Sequence, residues 1–358
     1  MRDQDIRALV ASLIPGGELL SARALSPDGS AGETRKAAGY VRPLLLTVAA
    51  AGEERRFVLR FGKPDDFGHA RRSDRVQRFL LAYDAARHLP RHAAVLDVGL
   101  VHQGRELRSL GGGGEPYLLA EFTEGTPYAA DLRRVADEGR CGPADLARAE
   151  ALAGYLAELH GLHLTPGRDY RRSVRDLLGH GEGLFGMVDG YPDDVPAAPP
   201  ARLKKIEGLA WEWRWRLRGR DARFARLHGD FHPFNVLFRG GSDFTAIGAA
   251  RGCAGDPADD VTALAINYVF FALDRRRAAW DEGLGPLWRT FWATYLDETG
   301  DQALLEVAAP FLAWRALVLA SPRFYPGLAA RDRDTLLSFA EDALARDAFD
   351  PSAAEALF

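Results

Sequence analysis

The spacing of apolar residues changes once along this 358-residue chain, and the change divides it into two kinds of structure. Before about residue 125, Tyr40–Ala49 and Arg56–Phe61 are runs rich in Val, Leu and Phe with Gly52 between them, the pattern of a β-hairpin. Ala94–His102 and Tyr117–Phe122 have the same character, and the turn-forming run Gly111–Pro116 separates them. One helix interrupts these strands over Gly68–Leu89. There Val76, Phe79, Leu80, Tyr83 and Ala86 recur at helical spacing, and Pro90 ends the pattern. The N-terminus, MRDQDIRALVASLIPGG, reads as a short amphipathic helix and not as a secretion signal.

From about Asp131 onward the spacing is helical. Leu146, Ala149, Leu152, Ala153, Leu156 and Leu159 mark one face of a helix over Pro143–His163. Pro166–Pro200 is rich in Gly and Pro and predicts loop, with a short helix near Arg175. Arg202–Arg220 predicts a basic helix whose Trp211, Trp213 and Trp215 divide between core and surface. A short hairpin is expected at Asn235–Gly248, and nearly everything after Pro257 reads as helix. The fold class is therefore α+β in two lobes, a small β-rich one over residues 1–124 and a larger helical one over 125–358.

Composition excludes several functions. Lys and Arg number 46 against 50 Asp and Glu, and a net charge of −4 argues against a dedicated nucleic-acid binder. The longest uncharged apolar run, Val261–Leu273, is too short to span a bilayer, so no membrane partner is expected. Cys141 and Cys253 are the only cysteines, which excludes a disulfide framework and fits a reducing cytoplasm. None of these features bears on oligomeric state.

The most informative segment is Leu227-His228-Gly229-Asp230-Phe231-His232-Pro233-Phe234-Asn235-Val236-Leu237-Phe238. A carboxylate and a carboxamide five residues apart sit on a tight loop just before a strand. Phosphoryl transfer needs such a pair, one group to orient the attacking hydroxyl and take its proton, the other to hold a metal against the phosphates. Gly229 beside Asp230 permits close backbone approach. As turn formers, Asp and Asn would also occur here without any chemistry.

His228-Gly229-Asp230-x-His232-x-x-Asn235 resembles the catalytic loop of the aminoglycoside phosphotransferase and choline kinase family, which has a bilobal protein-kinase-like fold. The run Gly252-Cys253-Ala254-Gly255-Asp256-Pro257-Ala258-Asp259-Asp260-Val261 is similar to the family's Gly-Asp-Pro-x-x-Asp segment. The resemblance implies an ATP-dependent O-phosphotransferase using ATP with magnesium. Asp230 and His232 would be catalytic and Asn235 a metal ligand. The acceptor would be a hydroxyl of a small molecule, antibiotic-like or biosynthetic, or of a peptide. The phosphate-covering loop would lie in Ser26–Thr34, through Ser30 and Gly32, although that run also reads as an ordinary turn. Leu119–Gly125 is similar to the family's hinge, with Glu121 and Phe122 against the nucleotide base. Glu182, in the irregular segment, is the candidate for a cationic acceptor. Asp260 is grouped with it on the acceptor side, although the family places a loop-bracing Asp there. Of the two nearby histidines, the family often has a structural one at His160 or His163.

Two departures set this chain apart. The position where the family has a second magnesium-binding Asp is Gly248, which the hairpin brings opposite Asn235. The strand position of the family's phosphate-binding Lys is Arg60, and the following helix has no Glu, leaving Asp74 as the candidate partner. Arg60 reads equally well as a solvated edge charge. These departures support an alternative, a kinase-fold protein that has lost or altered phosphoryl transfer and acts by binding or by other acid–base chemistry.

Overall fold

Five antiparallel strands build the first lobe, in the spatial order β1 (Glu18–Ala24), β2 (Val41–Ala50), β3 (Glu53–Gly62), β5 (Glu115–Glu121), β4 (Val95–Val101). The computed structural model describes residues 3–25, 41–64, 69, 72–86, 88–101, 115–165, 168–249, 251–275 and 280–358. The β2–β3 hairpin turns on Ala51 and Gly52, with φ of +52° and +84°, the handedness that a two-residue connection between twisted strands requires. Side chains alternate along β3. Phe57 and Leu59 join Ile6 and Val10 of α1 (Asp3–Leu13), and Ile14 just after it, in one small core. Arg60 pairs in register with Leu118 and so lies on the opposite face. There α2 (Arg72–Ala86) packs Phe79 and Ala82 on Leu118.

Beyond β6 (Thr126–Pro127) the second lobe has one large continuous core. Its helices are α3 (Tyr128–Glu138), α4 (Pro143–His160), α5 (Arg168–Gly179), α6 (Leu184–Asp189), α7 (Pro200–Leu217), α8 (Ala258–Arg275), α9 (Leu284–Thr299), α10 (Ala309–Ala320) and α11 (Ala330–Ala345). Short strands β7 (Ala225–Arg226) and β10 (Ala254–Gly255) pair with each other, and β8 (Val236–Gly240) and β9 (Asp243–Ala246) form the expected hairpin. The small lobe touches this hairpin where Ala93 and Arg91 exchange backbone hydrogen bonds with Ala246.

Two expectations need adjusting. The first long helix is shorter than its apolar pattern, covering Arg72–Ala86. The short helix expected near Arg175 is longer than that, the three-turn α5, which buries Tyr170, Val174, Leu177 and Leu178 at i, i+4, i+7 and i+8. The division of tryptophans on α7 is as expected. Trp213 is buried and donates to the Leu344 carbonyl at 2.9 Å, while Trp211 and Trp215 are exposed.

Candidate active site

The loop at residues 228–235 is held from below by one buried carboxylate. Asp260, at the first turn of α8, accepts the backbone N–H of His228 at 2.7 Å on Oδ2 and that of Gly229 at 2.8 Å on Oδ1. His160 Nε2 lies 3.3 Å from Asp260 Oδ2, and His160 Nδ1 lies 2.7 Å from the Tyr295 hydroxyl. Burial alone would raise the Asp260 pKa, but its contacts with His160 and His228 outweigh this and keep it lowered. Asp260 is fully enclosed, so the acceptor-side role grouped with it above is corrected. Its carboxylate serves the loop, and His160 is structural. Gly229 has φ +82°, and a Cβ there would lie 2.4 Å from the Gly252 carbonyl oxygen. Glycine at 229 thus lets the loop press against the Gly-Asp-Pro segment.

The upper side of the loop presents Asp230. Its Oδ1 accepts from Arg315 Nη1 at 3.0 Å and from Arg251 Nη1 at 3.2 Å. Asn235 Nδ2 donates to the Asp230 backbone carbonyl at 2.9 Å and to Oδ2 at 3.3 Å. The same two arginines also donate to Asp259 Oδ1, at 2.9 Å from Arg315 and 3.3 Å from Arg251. Two carboxylates and two guanidinium groups therefore form a closed square, and both guanidinium carbons lie over the Trp314 ring, at 4.0 and 4.3 Å. Burial would push the Asp230 carboxyl up, but His232, Arg251 and Arg315 together hold it well below the ordinary range. His232 stands 3.6 Å from Asp230 Oδ2 through Nε2, and its Nδ1 accepts from Phe234 N–H at 3.2 Å. Its visible work is to cap the turn that presents Asp230 and Asn235.

Gly248 stands where the hairpin register places it. Ile247 N–H donates to the Asn235 carbonyl at 2.9 Å, and a Cβ on Gly248 would lie 2.9 Å from Asn235 Oδ1. The Asn235 side chain thus fills the space of the missing one. The donor set does not fit magnesium, which needs several oxygen ligands and favours carboxylates. Gly248 offers none, Asp230 is engaged by two arginines and Asn235, and Asp259 is engaged by the same arginines. Among the described residues no group of three or more His, Cys, Asp or Glu side chains could hold a metal ion.

Across the cleft, Arg60 is partly buried and its pKa is lowered to about 10, first by burial and then by the nearby Arg78. Among the described residues no carboxylate pairs with it, so Asp74 is not its partner. A second arginine occupies the place expected for an acid. Arg78 instead lies 3.5 Å from Glu182 Oε1, and His69 also contacts that oxygen. Burial would raise Glu182, but Arg78 and His69 bring it down to about 2. Glu182 is therefore already engaged by Arg78 and His69 of its own chain, although it still lines the pocket beside Asp230.

At the lobe junction, Arg55 Nη2 donates to Glu121 Oε1 at 3.2 Å, and Arg56 lies 4.6 Å above the Phe122 ring while pairing with Glu124. The backbone N–H groups of Glu121 and Phe122 donate to the carbonyls of Ala94 and Arg56, at 3.0 and 2.9 Å. Ser30 and Gly32 lie outside the described residues, as does the turn expected at Gly111–Gly114.

A pocket of about 80 Å³ opens beside Asp230, between α8, α10 and the segment that follows α10. Arg78, Arg251 and Trp314 reach it, and Arg315 went unnoticed in the sequence altogether. Its signal was present. Arg315 is the lone charge on α10, a helix of otherwise apolar residues.

A search of curated proteins finds no match. Among solved structures, the amicoumacin kinase hAmiN, in complex with AMP-PNP, Ca2+ and Ami, is 16% identical, with 98% of this chain and 97% of that one covered and a TM-score of 0.55. The choline kinase LicA from Streptococcus pneumoniae is 14% identical over 96% and 98% of the two chains, with a TM-score of 0.49. The aminoglycoside phosphotransferase APH(4)-Ia is 17% identical over 96% and 97%, with a TM-score of 0.48. The family model described as "Phosphotransferase enzyme family" matches residues 45–294, well over half of the chain, and the protein therefore belongs to that family.

Proposed function

We propose that the protein is an ATP-using O-phosphotransferase whose acceptor is a hydroxyl on a small molecule. The observation that carries this reading is Asp230, which lines a pocket from a loop braced by Asp260. In the reaction the acceptor oxygen forms a bond to the γ-phosphorus, the bond to the β–γ bridging oxygen breaks, and ADP leaves. Asp230 orients the hydroxyl by accepting its hydrogen bond and takes the proton as the new bond forms. A strongly acidic Asp is a weak base, but phosphoryl transfer depends on position and charge more than on base strength. His232 and Asn235 hold Asp230 in place. Arg251 and Arg315 stand beside the reacting hydroxyl, where negative charge develops. Arg60 and Arg78, two neighbouring cations, form the surface on which the phosphates would rest. The amicoumacin kinase with bound AMP-PNP supports a nucleotide on this fold. A peptide hydroxyl as acceptor has no observation in its favour.

One observation favours a second reading. The contact between Gly248 and Asn235 leaves no carboxylate for a metal, as expected of a kinase fold that retains binding and has lost transfer. Thermal denaturation with ATP, with and without magnesium, combined with an ADP-release assay on a panel of alcohols, separates the two. The first reading expects ATP to raise the melting temperature even without the metal, and ADP to form with an acceptor. Stabilisation without turnover leaves the second. No response to ATP under either condition overturns nucleotide use altogether. Asp230→Asn is expected to lower any turnover by about 100-fold or more.

A further inference from the structure

The arginines around the cleft are not equally matched by carboxylates. Arg78 is engaged by Glu182, and Arg251 and Arg315 each bridge Asp230 and Asp259. Arg60 has no such partner among the described residues. It stands on β3 in register with Leu118, partly buried, and close enough to Arg78 and His92 for its charge to bear on both. Burial and Arg78 both act against that charge, and no carboxylate acts in its favour. His92 beside it is neutral in the folded protein and adds no negative charge. A cation kept partly out of water with no counter-charge costs the fold stability. An anion bound against it offsets that cost.

Magnesium, by contrast, finds few oxygens in this cleft. The residue opposite Asn235 is Gly248, and a Cβ there would lie 2.9 Å from Asn235 Oδ1. Asp230 and Asp259 each accept from two guanidinium groups. We infer, on the phosphotransferase reading of the site, that the triphosphate is held here as the metal-free anion, its charge met by the Arg60 guanidinium in place of magnesium. Magnesium on the phosphates cancels negative charge that Arg60 attracts, while the chain offers the ion no free carboxylate in return. The metal therefore weakens binding, the opposite of its effect where protein carboxylates hold it.

The test uses the full chain with two separate probes, inorganic tripolyphosphate and ATP. Dissociation constants are measured by isothermal titration calorimetry in EDTA and in excess magnesium at equal ionic strength. Both probes are expected to bind in EDTA, and magnesium to weaken each by at least about fivefold. Arg60→Gln keeps part of the apolar stem and removes the charge. It is expected to weaken tripolyphosphate in EDTA by at least about tenfold. The melting temperature of the ligand-free variant should stay the same or rise, because no ion pair is lost. Equal or tighter binding in magnesium overturns the inference. So does tripolyphosphate binding that Arg60→Gln leaves intact, or failure of both probes to bind. A melting temperature lowered by several degrees would make Arg60 a structural group and overturns it too. Tripolyphosphate bound in EDTA while ATP is refused leaves the role of Arg60 standing and counts against the phosphotransferase reading.

Discussion

Asp230 and Gly248 show how a single position can redirect a site. The hairpin delivers residue 248 to Asn235, as its spacing in the sequence predicts, and the missing carboxylate is then replaced by the Asn235 amide pressed against bare backbone. Gly248→Asp should be tolerated at a modest cost. Its φ of +81° is one that Asp adopts more readily than most residues, and the atoms in its way are the end of the Asn235 side chain. The expected outcome is a melting temperature a few degrees lower without ligand, together with stabilisation by ATP that now depends on magnesium. A differential scanning experiment with and without the metal checks this. An unchanged magnesium response would mean that the arginine clamp on Asp230, and not residue 248, excludes the metal. The motif residues were legible because their types and spacing carry the chemistry. The clamp was not, since Arg315 lies 85 residues from Asp230 and only the packing of α10 brings the two together.

At the level of elements, the catalytic loop depends on the first turn of α8. Asp260 uses both oxygens on consecutive backbone N–H groups, an arrangement that an amide side chain can only half reproduce. Asp260→Asn should therefore cost about 3 kcal/mol, the scale of breaking a buried charged contact. Urea denaturation measures the loss, and faster hydrogen exchange at residues 228 and 229 would place it in the loop. A loss under about 1 kcal/mol would show that the loop is held mainly by its other contacts. The role of Asp260 was ambiguous in the sequence because an Asp in a helix's first turn is common for reasons of the helix dipole alone. The extent of helix α5 was less legible than its presence near Arg175, because its apolar face of four residues is diluted by arginines and aspartates and flanked by Gly and Pro.

Across the whole molecule, the two lobes are joined by charge as well as by chain. Glu182 of the helical lobe meets Arg78 and His69 beside the sheet, while His92 lies against the hairpin of the other lobe. Burial, followed by the neighbouring His228, lowers the His92 pKa to about 4, so it is neutral in the folded protein. An unfolded chain binds a proton there below about 6.5. Stability should therefore fall as pH drops from about 6.5 to about 4 and then level off for this group. Glu182, held down at about 2, adds a second loss as pH falls below about 4.5. Urea midpoints at pH 7, 5.5 and 4.5 should decline for the natural chain, with the upper part of the decline flattened in His92→Gln. An equal slope in the variant would assign the effect elsewhere.

The strand end at Glu121 and Phe122 has a consequence for nucleotide choice. Both of its backbone donors already serve carbonyls of the sheet, and Arg55 and Arg56 tie its side chains to the neighbouring strand. A purine resting there would find neither N–H free to tell its edge from another's. Any choice between adenine and guanine then falls to the next N–H groups, those of Thr123 and Glu124, which donate to no backbone carbonyl among the described residues.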